Sequence, residues 1–424
     1  MDRLFQFLAE HPCFKYATPT CPEFVSWRLG SIVDEACTPA VIVRPRSAED
    51  VAGLVSVLAA NNLAFTVRVG GHEMFGRSQT HDGITIDLRE ISYITVDQES
   101  HTARLGGGIL IAELIKELEK HNLVTPHGLI PSVGYVGWAT HGGYGLLSAQ
   151  YGLGADQILE AKVVDCQGVI QDADKDMLTA IRGAGGLLGV IVEVTINVYP
   201  LSQVLAGVLI YESSDLGATI KRYNSAYSRL KRDGLPSALS LYQCVMNGPA
   251  GKAMTVLFAW VSSDLEAGMS WLSKVNAWSP VAVCTVSPTT MAAFSLAAEN
   301  LMPKSVYGTV LTANVHELTP EIVDVIALHA DSVFCTRSPH FVLEIAPIVQ
   351  TPDLLNDAIE WGQILYDALH KTDPANIMAS TYLPLTRREK VDMRAIYGHK
   401  LEALRDIKQR DDPQNVFKHA LVQL

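Results

Sequence analysis

Apolar positions in the first 200 residues are spaced in a way that predicts short strands alternating with helices. Residues 41–44 begin with three apolar β-branched side chains and stop at Pro45, which predicts a short strand, because proline lacks the N–H that a strand interior needs. Ser47 and Asp50 follow with the spacing of a capping box, and apolar residues then recur at helical spacing from 51 to 58. This region therefore starts as a strand followed by an amphipathic helix.

The same patterns continue along both halves of the chain. Before residue 200 they predict strands at 64–69, 84–87 and 102–105, an amphipathic helix at 110–118 and a hairpin at 162–170 with a glycine in its turn. Beyond it they predict strands at 204–211, 253–261 and 341–349, helices at 215–232, 264–276, 320–331 and 353–370, and a charged helical segment at 386–410. Glycine is dense only between 70 and 190. We therefore predict an α+β protein of two domains, the second a sheet backed by helices.

Composition excludes several classes of protein. The 424 residues are 48% hydrophobic and 18% charged, which is not the composition of a disordered, collagen-like or coiled-coil chain. The net charge of −12 argues against a nucleic-acid partner. The chain lacks an apolar stretch of about 18 residues, so no membrane association is expected.

The spacing of the cysteines and the lack of recognisable processing signals predict a cytoplasmic location. The seven cysteines are irregularly spaced and form no Cys-x-x-Cys pair, which favours free thiols in a reducing compartment over disulfides or a zinc site. The N-terminal residues do not form a secretory signal, and no Asn-x-Ser/Thr glycosylation site occurs. Histidines are scattered without metal-ligand spacing, so no metal is predicted.

Three glycine-rich segments are the candidate ligand sites. Residues 69–78 follow a strand and contain three glycines with Arg77 and Ser78, which suits a pyrophosphate, although a tight turn is the alternative. Residues 126–145 predict a backbone wrapped around a flat ligand, or else a glycine turn packed beneath a helix. Residues 182–189 approach the dinucleotide fingerprint, but Leu188 replaces its third glycine, which argues against a Rossmann fold.

Several motifs occur together in one order along the chain. They are Pro45-x-Ser47-x-x-Asp50-Val51, Val67-Arg68-Val69-Gly70-Gly71-His72, Ala103-Arg104-Leu105-Gly106-Gly107-Gly108, Gly142-Gly143-Tyr144-Gly145-Leu146-Leu147-Ser148, Tyr151-Gly152-Leu153-Gly154-Ala155-Asp156, Arg182-Gly183-Ala184-Gly185-Gly186 and Asp412-Pro413-x-Asn415-x-Phe417. This ordered set resembles the vanillyl-alcohol oxidase superfamily, also called the PCMH type. The berberine-bridge-enzyme-like and 6-hydroxynicotine-oxidase-like flavoproteins are the most similar members.

The resemblance implies an α+β, two-domain PCMH-type FAD-binding fold with an inserted substrate domain, an antiparallel sheet backed by helices. Residues 1–200 would form the FAD-binding domain, 201–385 the substrate-binding domain, and 386–424 would return to the first. The cofactor-binding residues that it implies are Arg68, Gly70, Gly71, His72, Gly76, Arg77, Ser78, Pro131, Val133, Gly134, Gly137, His141, Gly142, Gly143, Gly145, Gly189, Val190 and Asn415. His72 matches the histidine that binds FAD covalently.

Two departures from the family pattern refine this expectation. Ile130 stands where bicovalent members carry cysteine, so the FAD is expected to be monocovalent, through His72 alone. Val133 occupies the position of the oxygen gate, and a valine there resembles members that admit O2. Thr381 replaces the usual asparagine, whereas Tyr382 matches a family tyrosine.

Tyr382, Glu344 and Tyr144 are the catalytic candidates. Strand alternation places Glu344 on one face with Val342, where a carboxylate in a dry cavity would act as a base near neutral pH, although it could equally face solvent. Tyr382 would orient the substrate or take its proton, or else pack in the core.

We therefore expect an FAD-dependent oxidase of a small, fairly apolar alcohol or amine in specialised metabolism, with O2 as the electron acceptor. The alternatives are a cyclase or isomerase that retains FAD without redox turnover, and a ligand-binding protein without flavin.

Overall fold

A computed structural model describes residues 1–33, 37–248, 251–299, 305–319, 321–322 and 341–424. Its strands are β1 Lys15–Ala17, β2 Val41–Arg44, β3 Phe65–Arg68, β4 Ile84–Asp87, β5 Ile94–Asp97, β6 Thr102–Gly106, β7 Leu123–Val124, β8 Ile158–Val164, β9 Ile170–Asp172, β10 Val190–Asn197, β11 Tyr199–Pro200, β12 Val204–Tyr211, β13 Leu239–Gly248, β14 Gly251–Trp260, β15 Val281–Cys284, β16 Ser287–Thr289, β17 Tyr307–Gly308, β18 Leu311–Val315, β19 Phe341–Ile345 and β20 Ile348–Val349. Its α-helices are Asp2–Glu10, Phe24–Arg28, Ala48–Ala60, Ile111–Glu119, Tyr135–Ala139, Ser148–Tyr151, Gly154–Gln157, Lys175–Ala184, Leu216–Asp233, Leu265–Asn276, Met291–Ala298, Leu355–Thr372, Met393–Tyr397 and Leu401–Asp411.

Two sheets build the first 200 residues. One has the order β1-β2-β4-β3, in which β2, β4 and β3 are parallel; the other is antiparallel, in the order β5-β6-β10-β8-β9. Helix Ala48–Ala60 contacts β8, β9 and β10 of the second sheet, while its buried residues join a core that includes β2 and β4. The Ser47 hydroxyl accepts the Asp50 N–H at 3.2 Å, so the predicted helix start is confirmed.

A third, antiparallel sheet follows, in the order β13-β14-β12-β15, with helices Leu216–Asp233 and Leu265–Asn276 packed on it. Strands β18 and β19 form a separate antiparallel pair against helix Leu355–Thr372. Together with the first two sheets, this arrangement confirms the predicted α+β class. Within the described residues, none of the helices combines the length and apolar character needed to cross a membrane.

Two predicted elements differ from the structure, and a third cannot be compared with it. The strand predicted at 341–349 ends at Ile345, and β20 resumes at Ile348 after Pro347 to pair with β17 instead. The helical segment predicted at 386–410 is divided into two helices around Gly398, whose φ of 55° interrupts the helical backbone. The helix predicted at 320–331 lies outside the described residues, except for 321 and 322.

The last residues of the chain pack against its first half. Leu404 and Val422 belong to the same buried cluster as Ile111 and Leu114. The ring of Phe417 meets that of Phe65 edge-on, with 5.9 Å between centroids. The predicted return of 386–424 agrees with this packing, although the division into three ranges stays a prediction.

Candidate active site

A cavity of about 460 Å³ opens between the glycine loops of the first half and strand β19. Most of the predicted site residues line it: Arg68, Gly70, Gly71, His72, Arg77, Ser78, Val133, Gly134, Gly137, His141, Tyr144, Gly189, Val190, Glu344 and Tyr382. Gly76, Pro131, Gly142, Gly143, Gly145 and Asn415 are not among the lining residues. The two glycine loops and the candidate catalytic residues therefore meet at one place, as the sequence predicts.

Packing explains several of the glycines that do not face the cavity. A Cβ atom at Gly145 would collide with the carbonyl of His127, and one at Gly143 would lie 3.0 Å from the Cα of Gly154. Glycine is required at these positions because neighbouring backbone atoms lie where a side chain would begin. Pro131, also outside the lining, accepts the Ala112 N–H on its carbonyl at 2.8 Å.

The first two glycine loops touch through their backbones. A Cβ atom at Gly70 would collide with the amide nitrogen of Gly134 and would lie 2.6 Å from the carbonyl oxygen of Ser132. By contrast, a Cβ at Gly137 would meet nothing within 4 Å, so the main chain there borders open space that a flat ring can fill. Gly70 is thus required by the loop-to-loop contact, whereas Gly137 has room for a ligand beside it.

The two arginines of the site are already paired. Arg68 is buried, lies 3.4 Å from the Asp87 carboxylate and donates to the carbonyls of Trp27 and Arg28. Arg77 is predicted to face a pyrophosphate, and its guanidinium lies 2.6 Å from Glu73. Glu73 supplies the carboxylate that a guanidinium so little exposed to solvent needs as a partner. Arg77 also lines the cavity, so its contact with a pyrophosphate stays a prediction.

Arg77 also links its loop by hydrogen bonds to the segment that follows Tyr382. It donates to the carbonyl oxygens of Pro384 at 3.4 Å and Thr386 at 3.2 Å. The Glu73 carboxylate in turn accepts the backbone N–H groups of Phe75 and Arg77. This carboxylate thus occupies the amide groups of Phe75 and Arg77, so a phosphate in this loop must be held by other donors.

We expect Glu73→Gln to lower the free energy of unfolding by about 3 kcal/mol, because it leaves the Arg77 charge buried without its counter-ion. Denaturant titration followed by tryptophan fluorescence measures the change. Glu117→Gln is the matched control, since Glu117 pairs with Lys120 at the surface, where an ion pair contributes about 1 kcal/mol or less. Equal losses in the two variants would contradict the buried role of the Glu73–Arg77 pair.

Asn415 does not line the cavity. It is exposed and adopts a φ of 51°, a conformation that asparagine tolerates better than most residues. The turn is organised by Asp412, which pairs with buried Lys408 at 2.6 Å and accepts the Val416 and Phe417 N–H groups. The residues after this turn that line the cavity are Phe417, His419, Ala420 and Leu421, and a contact between Asn415 and the cofactor stays a prediction.

Glu344 and Tyr382 face the same cavity. Val342 lines it as well, so the predicted alternation along β19 places the carboxylate on the cavity face. Glu344 accepts no hydrogen bond from the described residues, and burial raises the pKa of its carboxyl to about 7. It is therefore divided between its two protonation states at neutral pH.

The two tyrosines of the site contact each other. The rings of Tyr144 and Tyr382 meet edge to face, with centroids 4.9 Å apart at 83°. Burial, then Tyr144, then Glu344 raise the pKa of the Tyr382 phenol, so that it stays protonated near neutrality. Tyr382 is thus a hydrogen-bond donor here, and Glu344 is the group able to take a proton.

Two histidines of the site stand in different surroundings. His141 hydrogen-bonds the Gly137 carbonyl through Nδ1 at 2.8 Å, and burial lowers its pKa to about 4, so the ring is neutral. His72 lines the cavity and has its Nε2 3.0 Å from the Ser132 hydroxyl. Both the N–H and the hydroxyl of Ser132 lie 3.2 Å from the Glu299 carboxylate. No three histidines, cysteines or carboxylates in the described part of the chain gather into a metal site.

Three residues of this site lie outside the predicted set. Glu299 lies at the end of helix Met291–Ala298, 167 positions after Ser132, and carries no motif of its own. Tyr242 lines the cavity from β13, a strand that we did not predict although Leu239, Leu241 and Gln243 alternate with other residues in a strand-like pattern. Trp138 also lines the cavity and lies inside the second glycine loop.

Known proteins are similar to this chain in sequence and in fold. Residues 39–174 match the model of an FAD binding domain. FAD-linked oxidoreductase aurO of Gibberella zeae is 30% identical over 96% of this chain and 85% of its own length. (R)-6-hydroxynicotine oxidase of Paenarthrobacter nicotinovorans is 38% identical over 42% of this chain and 40% of its own.

The fold is also shared. The crystal structure of 6-hydroxy-D-nicotine oxidase from Arthrobacter nicotinovorans superposes with a TM-score of 0.86 at 22% identity, covering 97% of both chains. The two proteins therefore share a fold. The match to an FAD binding domain and the FAD-linked relative confirm FAD as the cofactor that the sequence predicts. The chain belongs to the FAD-linked oxidoreductases of the PCMH type, the flavoenzyme family of the berberine-bridge-enzyme-like proteins and 6-hydroxynicotine oxidase.

Proposed function

We propose that this enzyme is an oxidase that removes two electrons from a small, fairly apolar alcohol or amine and passes them to O2, giving hydrogen peroxide. The observation that carries the proposal is Glu344, a partly buried carboxylate that faces the cavity and whose side chain has no hydrogen-bond partner among the described residues. Such a group has the pKa that suits a general base near neutral pH.

The cavity residues suit an FAD molecule. We place it in the open space beside Gly137, against the lining residues within 186–191 and 417–421. His72 would hold it by a single covalent bond, because Ile130 offers no thiol. When bound, FAD supplies the acceptor for a hydride.

The protein's own residues handle the proton. Glu344 would accept the proton of the substrate O–H or N–H while the adjacent C–H bond gives up its hydride. The Tyr382 hydroxyl would donate to the same oxygen or nitrogen and hold it in place, with its ring supported by Tyr144. Val342, Ile130 and Leu385 line the cavity with apolar groups that exclude water, which favours a substrate of similar character.

Anaerobic mixing tests the oxidase proposal. The purified protein is mixed without oxygen with a panel of small aromatic and aliphatic alcohols and amines, and the flavin spectrum is recorded. A substrate should bleach the flavin, and air should restore it with one peroxide per turnover. Product formed at full rate without oxygen, while the flavin stays oxidised, would instead show a cyclase or isomerase that retains FAD.

Tyr382→Phe is expected to lower kcat/KM about threefold to tenfold, which is the effect of one neutral hydrogen bond. The pH dependence should stay that of the wild type, because a phenol that remains protonated contributes no titration near neutrality. Steady-state peroxide assays between pH 5 and 9 measure both. Tyr16→Phe, at an exposed tyrosine, is the control. Loss of the pH dependence in Tyr382→Phe would make Tyr382 the base instead.

A further inference from the structure

A chain of three polar groups runs from the cavity wall into the protein behind it. His72 lines the cavity, whereas Ser132 and Glu299 are not among the lining residues. The Nε2 atom of His72 lies 3.0 Å from the Ser132 hydroxyl, which lies 3.2 Å from the Glu299 carboxylate. The three residues come from the first glycine loop, the second glycine loop and the end of helix Met291–Ala298.

The direction of these hydrogen bonds follows from the donors present. An ionised carboxylate only accepts, so the Ser132 hydroxyl donates its single hydrogen to Glu299. The Ser132 oxygen then accepts from the Nε2–H of His72, and this tautomer places the lone pair of the neutral ring on Nδ1. A hydrogen-bonded histidine with a carboxylate behind it is the arrangement that orients an imidazole and stabilises positive charge on it.

The surrounding structure holds this chain in place. Gly70, two residues before His72, packs against the backbone of 132–134, which fixes the distance between the two loops. Ser132 reaches Glu299 through its backbone N–H as well as its hydroxyl, so the carboxylate is bound by two donors of one residue.

We propose that Ser132 and Glu299 are positioning residues that prepare His72 for covalent attachment to FAD, by orienting its ring and by accepting the proton that it loses. This inference rests on the proposed single bond between His72 and the flavin. Attachment joins Nδ1 to the 8α-methyl carbon of FAD. One methyl C–H bond and the Nε2–H bond break, one C–N bond forms, and two electrons remain on the flavin until O2 takes them with two protons as hydrogen peroxide. The Nε2 proton leaves through Ser132 toward Glu299.

The test compares FAD binding with FAD attachment in the full-length chain. Protein from riboflavin-starved cells is incubated with FAD in air, and samples are precipitated with acid over time. Flavin absorbance before precipitation gives the occupancy, and flavin in the washed pellet gives the attached fraction. The variants are Ser132→Ala, Ser132→Thr and Glu299→Gln. The control is Ser92→Ala, which removes a Ser–Glu hydrogen bond of 2.7 Å at the exposed surface.

We expect Ser132→Ala and Glu299→Gln to fill with FAD as the wild type does but to attach it about 10²-fold more slowly, the lower end of the contribution of a general base. Ser132→Thr keeps the hydroxyl and should attach FAD within a few-fold of the wild-type rate, as should Ser92→Ala.

Three results would overturn the proposal. The first is attachment at the wild-type rate in both Ser132→Ala and Glu299→Gln. The second is equal slowing in Ser132→Thr and Ser132→Ala, since the hydroxyl would then be irrelevant. The third is a wild-type protein that fills with FAD but retains none in the pellet, which overturns attachment while leaving FAD binding intact. A wild-type protein that takes up no FAD would instead overturn the proposed function and this inference with it.

Discussion

Replacing Glu344 by glutamine is expected to slow flavin reduction by about 10²–10⁴-fold, the usual effect of removing a general base. Glutamine has nearly the same shape but cannot take a proton. In the wild type the base is active only when ionised, so the rate of reduction should rise as the pH increases through about 7, where burial places the pKa of Glu344. Stopped-flow mixing without oxygen, followed at the flavin absorbance, gives both values.

The pH profile separates loss of the base from a general loss of structure. Glu344→Gln should show a low rate that no longer rises through pH 7, while its flavin content stays that of the wild type. Glu360→Gln, an exposed carboxylate on helix Leu355–Thr372, is the matched control and should leave rate and profile unchanged. If Glu344→Gln keeps a rise through pH 7, the proton is taken by another group.

His72→Ala is expected to abolish covalent attachment of the flavin. Acid precipitation should leave the wild-type pellet yellow, whereas the variant should release its FAD into the supernatant, because Ile130 supplies no second bond. The flavin of the variant should also have a lower reduction potential, measured by equilibration with a reference dye. It should then accept hydride more slowly from the same substrate.

An exposed histidine provides the control for this experiment. His399→Ala removes an imidazole that is exposed and does not line the cavity, and it should retain its flavin in the pellet. A yellow pellet from His72→Ala would show that the flavin is bound through a different residue. If His72→Ala already lacks flavin before acid is added, the variant fails to bind FAD, and the experiment then says nothing about attachment.

Local patterns predicted the elements that depend on neighbouring residues. The helix that begins after Ser47 needs only a hydroxyl and a backbone N–H three residues later, and both are visible in the sequence. Alternation along β19 placed Glu344 on the same face as Val342, because the period of a strand is a property of the strand alone. The glycine loops were equally visible, since a side chain at several of their positions would collide with neighbouring backbone atoms.

The contacts that could not be predicted from the sequence join residues far apart along the chain. Arg77 and Ser78 follow three glycines and suit a phosphate, yet the guanidinium binds Glu73 and a carbonyl 309 positions further along the chain. Glu299 joins Ser132 across 167 positions with no motif at either end of its helix. Asn415 adopts a positive φ in a turn, and residues after it line the cavity, a placement that depends on packing between the two ends of the chain.

The late position of Phe417–Leu421 has a consequence for biosynthesis. These residues complete the wall of a cavity whose other sides come from the glycine loops and from later residues such as Glu344 and Tyr382, and the Lys408–Asp412 pair sets the turn that brings them there. A ribosome that has released only the first 200 residues therefore presents an open cleft. The wall that Phe417–Leu421 form is in place only once residue 421 has been synthesised, so enclosure of the flavin cannot precede that point.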